Sequence, residues 1–321
     1  MKICPANAKS IRFTLFSSII FRTFVPMTAK NNRTLHLSDD EKVELRKMID
    51  GKSIINADTL TALEHLPNGF ANLIIADPPY NLQRNFGGNK FSAMSSTQYE
   101  DYLRSWFYTL CDKLAPNGSL YMCGDWRCSS SMQRVIEERL TILNRITWQR
   151  EKGRGASRNW KNSMEDIWFA VKNPKDYYFD IESVKQRRKV LAPYRQNGLP
   201  KDWEDTSEGK FRTTHPSNFW DDITVPFWSM SENTDHPTQK PEKLIAKLIL
   251  ASSREGDMVF DPFLGSGTTA VVAKKLHRRY CGIELNPNYC LLAAKRLLLA
   301  DTYPAIQGYA DGIFWERNSG K

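Results

Sequence analysis

Four consecutive residues, Asp77-Pro78-Pro79-Tyr80, combine a carboxylate, a carbonyl held by proline rings and an aromatic face. Together they suit the activation of a conjugated amine. The lone pair of an aromatic amine is delocalised into its ring and must be redirected before the nitrogen can attack a sulfonium methyl. A carboxylate and a backbone carbonyl that both accept from the N–H groups achieve this without a covalent enzyme intermediate. Asp77 and the Pro78 carbonyl are the candidate pair, and Pro78 and Pro79 stiffen the backbone that aims them. Tyr80 offers a surface on which a base swung out of a helix can stack. The alternative is a strand end of this composition with no site role.

A second constellation lies far downstream, at Asp261-Pro262-Phe263-Leu264-Gly265-Ser266-Gly267-Thr268-Thr269. A strand, a sharp turn carrying Gly265 and Gly267, and a helix start form a cradle for a small polar ligand. Glycine lets the backbone approach the ligand, and the helix start offers free N–H groups. The dinucleotide fingerprint is incomplete, because Ala270 stands where its third glycine would fall. No G-K-[ST] follows, which excludes a phosphate-gripping P-loop. Glu284 falls at the tip of the next strand, about 20 residues on, where an acid can reach two ribose hydroxyls. A structural β–α turn and a surface or capping glutamate are the plainer alternatives.

The elements that must position these groups alternate along the chain. A polar helix is expected near Asp39–Met48, a short strand at Lys52–Ile55, and a helix through Leu66 with Asp58 as N-cap. Ala71–Ala76 is a buried strand running into Asp77, so the tetrapeptide sits at a strand's carboxyl end, where open α/β sheets bind ligands. Residues 81–97 read as a mobile loop. A helix from Gln98 to Leu114 follows, then a strand at Ser119–Cys123 and a helix at Ser130–Leu140. Strands at Arg145–Trp148 and Ile167–Val171 flank a basic loop. After a less periodic stretch, a helix at Pro241–Ala251, a strand at Met258–Phe260, a helix at Ala270–Leu276, a strand at Arg279–Ile283 and a helix at Asn288–Ala300 complete the pattern. Such alternation predicts an α/β fold with a mainly parallel sheet. The stretch 173–235, where charges, aromatics and prolines mix, reads as an inserted lobe. The expected division is therefore 27–172 as the catalytic part, 173–235 as a target-recognition lobe and 236–321 as the cofactor-binding part of one domain.

With 321 residues, 41% of them hydrophobic and 25% charged, the chain can bury a large core. Its formal charge of +9 favours a polyanionic partner. Arg145, Arg150, Lys152, Arg154, Arg158 and Lys161 crowd one stretch, with Gly153 and Gly155 within it and Trp148 and Trp160 at its flanks. Of these, Arg150, Lys152, Arg154, Arg158 and Lys161 are the candidate phosphate contacts, against the alternative of a solvated basic loop. The six cysteines form no C-x-x-C pair, so neither a zinc site nor a disulfide framework is expected, and a reducing compartment fits. Residues 1–26 are basic and acid-free, with an apolar run from Phe13 to Phe21 too short to span a bilayer. They read as a signal or transit peptide or, preferably, as a spurious extension before a true start at Met27.

The segments ADPPYNL, DHPTQKP and DPFLGSGTT, in that order, resemble the bacterial amino-methyltransferases that modify DNA, in their permuted β class. The resemblance spans roughly residues 50–300. It implies a Rossmann-like sheet of seven strands, one of them antiparallel. It also implies S-adenosyl-L-methionine as cofactor, held near Asp261, Phe263, Gly265, Gly267 and Thr268, with Glu284 on the ribose. Thr238 and Lys240 of HPTQKP would lie beside its methionine part, and Asp58 would contact its adenine. The implied reaction is methyl transfer to adenine N6 in duplex DNA by base flipping. Cytosine N4 is the rival target, and RNA or a protein amide the rival substrates, for which Asn more often opens the tetrapeptide. A catalytically silent DNA-binding protein is the rival of another class. The resemblance further implies a cytoplasmic, nucleoid-associated protein, monomeric or homodimeric, without metal or membrane partner, that protects sites from a cognate restriction endonuclease. A chain beginning at Met27 is expected to retain full methyl-transfer activity when assayed beside the 321-residue form.

Overall fold

The run Ala71-Asn72-Leu73-Ile74-Ile75-Ala76 is apolar on both faces, as a strand covered on both sides must be. The computed structural model, which describes residues 39–49, 53–86, 89–150, 157–190 and 194–317, places it at the centre of the protein. Helix α1 (Asp39–Met48) precedes strand β1 (Ile54–Asn56), helix α2 (Thr59–His65) and this central strand, β2 (Ala71–Ala76). Then come α3 (Ser96–Lys113), β3 (Leu114–Gly124), α4 (Trp126–Glu137), β4 (Thr141–Gln149) and β5 (Met164–Val171). The later part supplies β6 (Phe219–Trp220), α5 (Glu242–Ser252), β7 (Met258–Asp261), α6 (Thr268–Lys275), β8 (Arg279–Glu284) and α7 (Pro287–Thr302).

These strands form one eight-stranded sheet in the order β1-β8-β7-β2-β3-β5-β4-β6. Neighbours are parallel except at β5, which runs antiparallel to both β3 and β4. The implied seven strands are thus extended by an eighth, two-residue strand that pairs Phe219 and Trp220 with Thr147 and Trp148. Alternation along β2 divides the core. Ile74 and Ala76 pack with Trp106 and Phe107 of α3 and with Met132 and Val135 of α4. Leu73 and Ile75 pack on the other face with Leu244, Ile245 and Leu248 of α5. Chain order reverses between β7 and β2, and at such a switch point the loops diverge and leave a crevice at the strands' carboxyl ends.

Two expectations change. The segment 81–97 is organised rather than a simple loop: Arg84–Phe86 pairs antiparallel with Asn89–Phe91. The Asn81 amide explains part of this order, accepting from the Met94 N–H at 2.7 Å and donating to its carbonyl at 2.8 Å. Helix α3 then starts early, because Ser95 and Gln98 form a capping box. The inserted lobe also has its own sheet, and the C-terminal segment helps to build it. Ile313–Trp315 pairs parallel with Gln186–Lys189, and Tyr309–Ala310 pairs with Ile313–Phe314 at the edge. Residues 236–317 therefore contribute strands both to the main sheet and to this second sheet. No helix among the described residues is long and apolar enough to cross a membrane.

The glycine turn illustrates how close the packing is. Gly267 has φ of 82°, and a Cβ there would lie 2.6 Å from the Ala293 Cβ and 2.9 Å from its Cα. Gly267→Ala meets both a left-handed backbone penalty and a clash with the α7 backbone, an expected loss of about 2 kcal/mol or more. Gly256 has φ of 80° with nothing within 4 Å of its virtual Cβ, so Gly256→Ala should lose only about 1 kcal/mol. Urea unfolding of the two variants checks the difference.

Candidate active site

Three strand tips deliver acids to the crevice: Asp77 after β2, Asp261 at the end of β7 and Glu284 at the end of β8. A cavity of about 340 Å³ lies between them, within the range of small-molecule sites. Its wall includes every candidate catalytic and cofactor residue except Gly267: Asp77, Pro78, Pro79 and Tyr80 on one side, and Asp58, Phe263, Gly265, Thr268 and Glu284 on the other. Thr238, Lys240 and Asp261 also line it. Gly267 stands just behind, packed on α7 as described. Asp58 both caps α2, accepting from the Thr61 N–H at 3.3 Å, and faces the cavity, so capping does not remove it from the cavity wall.

At the tetrapeptide end, both Asp77 oxygens are engaged. Oδ1 accepts from the Tyr80 hydroxyl at 2.7 Å and Oδ2 from the Lys240 Nζ at 2.6 Å. Lys240 also donates to the Tyr80 hydroxyl at 3.1 Å. Burial works against the Lys240 ammonium, but the Asp77 and Glu165 carboxylates outweigh it and raise the pKa, so the group stays charged. Burial first, and then those same carboxylates, push the Tyr80 phenol well above its usual range, so it remains a hydrogen-bond donor. Beneath the tetrapeptide, the buried Tyr99 hydroxyl donates to the Pro79 carbonyl at 3.0 Å, which ties the turn to α3.

At the glycine end, Glu284 accepts from the Gly265 N–H at 2.9 Å on one oxygen and from the Asn286 N–H at 2.7 Å on the other. These bonds hold the carboxylate in place and oppose the upward pull of burial on its pKa. Burial raises Asp261 to about 7 against hydrogen bonds from the Thr269 side chain and the Phe263 N–H. Phe263 meets Trp106 edge-on at 5.0 Å, and both rings line the cavity. Tyr102 and Tyr289 also line it, and like Trp106 they carry no local sequence signal: aromatic residues on α3 and α7 read as core, and nothing local marks which of them edge a cavity.

The candidate DNA contacts divide. Lys152 and Arg154 lie outside the described residues, whereas Arg158 and Lys161 are exposed. Arg150 is engaged within the site: its guanidinium donates to the buried Glu165 carboxylate at 2.5 Å. Arg150 and Glu165 line a smaller cavity of about 60 Å³ that shares Tyr80, Thr238, Gln239 and Lys240 with the larger one. Glu165 has only a weak local signal, the two adjacent acids Glu165 and Asp166 at the head of the strand Met164–Val171, whose remaining residues are apolar.

An open α/β sheet with acids and a glycine turn around a crevice at its switch point defines a ligand-binding α/β enzyme scaffold. Residues 71–295 match the family described as DNA methylase, the N6_N4_Mtase family, and the chain belongs to that family. It is 34% identical over 266 residues to the DNA adenine methyltransferase YhdJ of Escherichia coli (strain K12), covering 80% of this chain and 86% of that protein. It is 32% identical over 246 residues to the type II methyltransferase M.HpaI of Haemophilus parainfluenzae, covering 76% of this chain and 73% of that protein. The fold matches the crystal structure of the M1.HpyAVI–SAM complex with a TM-score of 0.52 at 24% identity, over 76% of this chain and 98% of that one. It also matches the cytosine-N4-specific PvuII DNA methyltransferase with a TM-score of 0.56 at 21% identity, over 76% of this chain and 85% of that one.

His236 carries a pH signature. Burial pushes its imidazole from 6.5 down to about 4. The unfolded chain therefore takes up this proton first, and acid favours unfolding. The ring's contribution to stability is complete above about pH 6.5 and is lost as pH falls towards 4. The stability difference between wild type and His236→Gln should hold constant above pH 7 and shrink by about 1–3 kcal/mol on acidification. Denaturant unfolding at several pH values measures it.

Proposed function

We propose that the protein is an S-adenosyl-L-methionine-dependent DNA methyltransferase acting on adenine N6 in duplex DNA. One observation carries this: a single cavity joins an amine-activating carboxylate, Asp77, to a fixed carboxylate, Glu284, at the tip of a Rossmann-like strand. The residues fit the cofactor. Glu284 suits the ribose hydroxyls, Asp58 and the Phe263 ring suit the adenine, and Thr238 and the start of α6 suit the amino-acid part. Asp58, Asp77 and Glu284 face it against Lys240, an acid surplus that favours a cationic ligand. S-adenosyl-L-methionine supplies an electrophilic methyl on a positively charged sulfur.

The chain's own residues do the remainder. Asp77 and the Pro78 carbonyl accept from the target amine and turn its lone pair out of the ring plane. Tyr80, which borders both cavities, offers the face on which the flipped base stacks. After transfer the nitrogen carries an excess proton, which passes to Asp77 or to solvent. The aspartate that opens the tetrapeptide and the likeness to YhdJ support adenine over cytosine N4. Arg158, Lys161 and the basic segment before them serve the phosphate backbone, and the lobe reads base edges. The likeness to type II methyltransferases supports a role opposite a cognate restriction endonuclease.

With Glu165 left to hold Lys240, Asp77→Ala is expected still to bind DNA and S-adenosyl-L-methionine while methyl transfer falls by about 100-fold or more. Radiolabelled methyl incorporation and equilibrium binding measure the two effects. Transfer that persisted in this variant would falsify the mechanism. Single-base mapping of methylated positions in host DNA after expression identifies the base, and a methyl on cytosine N4 would overturn the adenine assignment.

A further inference from the structure

Glu165 is a carboxylate for which the transfer chemistry above has no task. Its residue is only 5% exposed, and it stands opposite Trp148 in the β4–β5 ladder, at the wall of the smaller cavity. One oxygen, Oε1, is held by Arg150 at 2.5 Å. The other, Oε2, lies 3.3 Å from the Tyr80 hydroxyl and 3.4 Å from the Lys240 Nζ. These are the two donors that occupy Asp77 at 2.7 and 2.6 Å. Two carboxylates thus compete for one pair of donors, and the Tyr80 hydroxyl has a single proton to give.

That competition matters for the incoming amine. A carboxylate paired with an ammonium at 2.6 Å is a poorer acceptor for a further, neutral N–H, because its charge is already compensated. Building on the amine-transfer reading, we propose that Glu165 is a positioning residue that takes over Lys240 and Tyr80 from Asp77 as the target amine enters. A shift of under about 1 Å brings either donor to ordinary hydrogen-bond distance from Oε2. No proton changes hands. Lys240 remains an ammonium, and the set Asp77, Glu165, Lys240 and Arg150 holds two negative and two positive charges before and after. Arg150 fixes Oε1, so Oε2 stays presented to the two donors. Asp77 then faces the amine as an unpaired carboxylate, able to accept its N–H groups and afterwards its excess proton.

The test uses the full chain with labelled S-adenosyl-L-methionine and unmethylated genomic DNA in single-turnover assays, with separate equilibrium binding of each. Glu165→Gln keeps the size but loses the charge that draws the donors over, and should slow transfer by about 10- to 100-fold. Its affinities for cofactor and DNA should stay within about threefold of wild type. Glu165→Asp, which restores the charge, should recover part of the rate. Arg150→Gln leaves Oε1 unanchored and should give a smaller loss in the same direction, a check that stands even if Glu165 variants fold poorly. An unchanged Glu165→Gln rate, or a loss of cofactor affinity as large as the loss of rate, overturns the handover. Wild-type protein that binds cofactor but moves no methyl to DNA sinks the functional reading itself, which is a different failure.

Discussion

The ion pair between Lys240 and Asp77 joins residues 163 positions apart, and the site is organised around it. The Lys240 side chain is 8% exposed. A buried ammonium without a partner is costly, and a buried pair is sound only when hydrogen bonds meet its remaining valences. Asp77, the Tyr80 hydroxyl and Glu165 meet them here. The pair can form only if the turn after β2 and the segment leading into α5 meet at one edge. The sheet order brings them there by placing β7 beside β2. One interaction thus ties the two segments together at the cavity wall and sets the charge around Asp77.

The same edge also separates two kinds of work. At the glycine end, backbone N–H groups of Gly265 and Asn286 fix Glu284 in place. Groups held this way lose little freedom if a ligand binds, as the proposed cofactor would here. At the tetrapeptide end, the donors around Asp77 have more than one acceptor within reach. Tyr80 stands between, at the wall of both cavities, where a stacked base and the methyl donor can approach each other.

The lobe is held to this core by charge as well as by strands. Asp222 accepts from Lys243 and Lys247 of α5, each at 2.8 Å, with Asp222 and Lys247 almost fully buried. Helix α5 begins directly after Pro241, so the element that carries Lys240 into the site also anchors the lobe. The segment Ile313–Trp315 adds a strand to the lobe's sheet, and Arg317 donates to the Gln149 and Ile223 carbonyls. The surface assigned to base reading is therefore tied through α5 and β4 to the groups assigned to chemistry.

Local order was legible in the chain because its causes are local. Apolar strands ending in Asp77, Asp261 and Glu284, the cap at Asp58 and the turn at Gly265 and Gly267 all depend on neighbouring residues, and they survive into the fold. The resemblance of three ordered motifs carried the family, which comparison with known proteins bears out. Other features depended on long-range packing. Asn81 orders a segment that composition alone suggests is loose, because its amide finds the Met94 backbone. Arg150, one of a run of basic residues in sequence, pairs with a carboxylate because β5 places the buried Glu165 opposite β4. The C-terminal strand joins the lobe through a pairing between residues more than 100 positions apart, for which the sequence has no periodic signal. The amino acids determine which groups are present and which turns they favour, whereas sheet order decides which carboxylate each cation meets, since burial penalises every charge left unpaired.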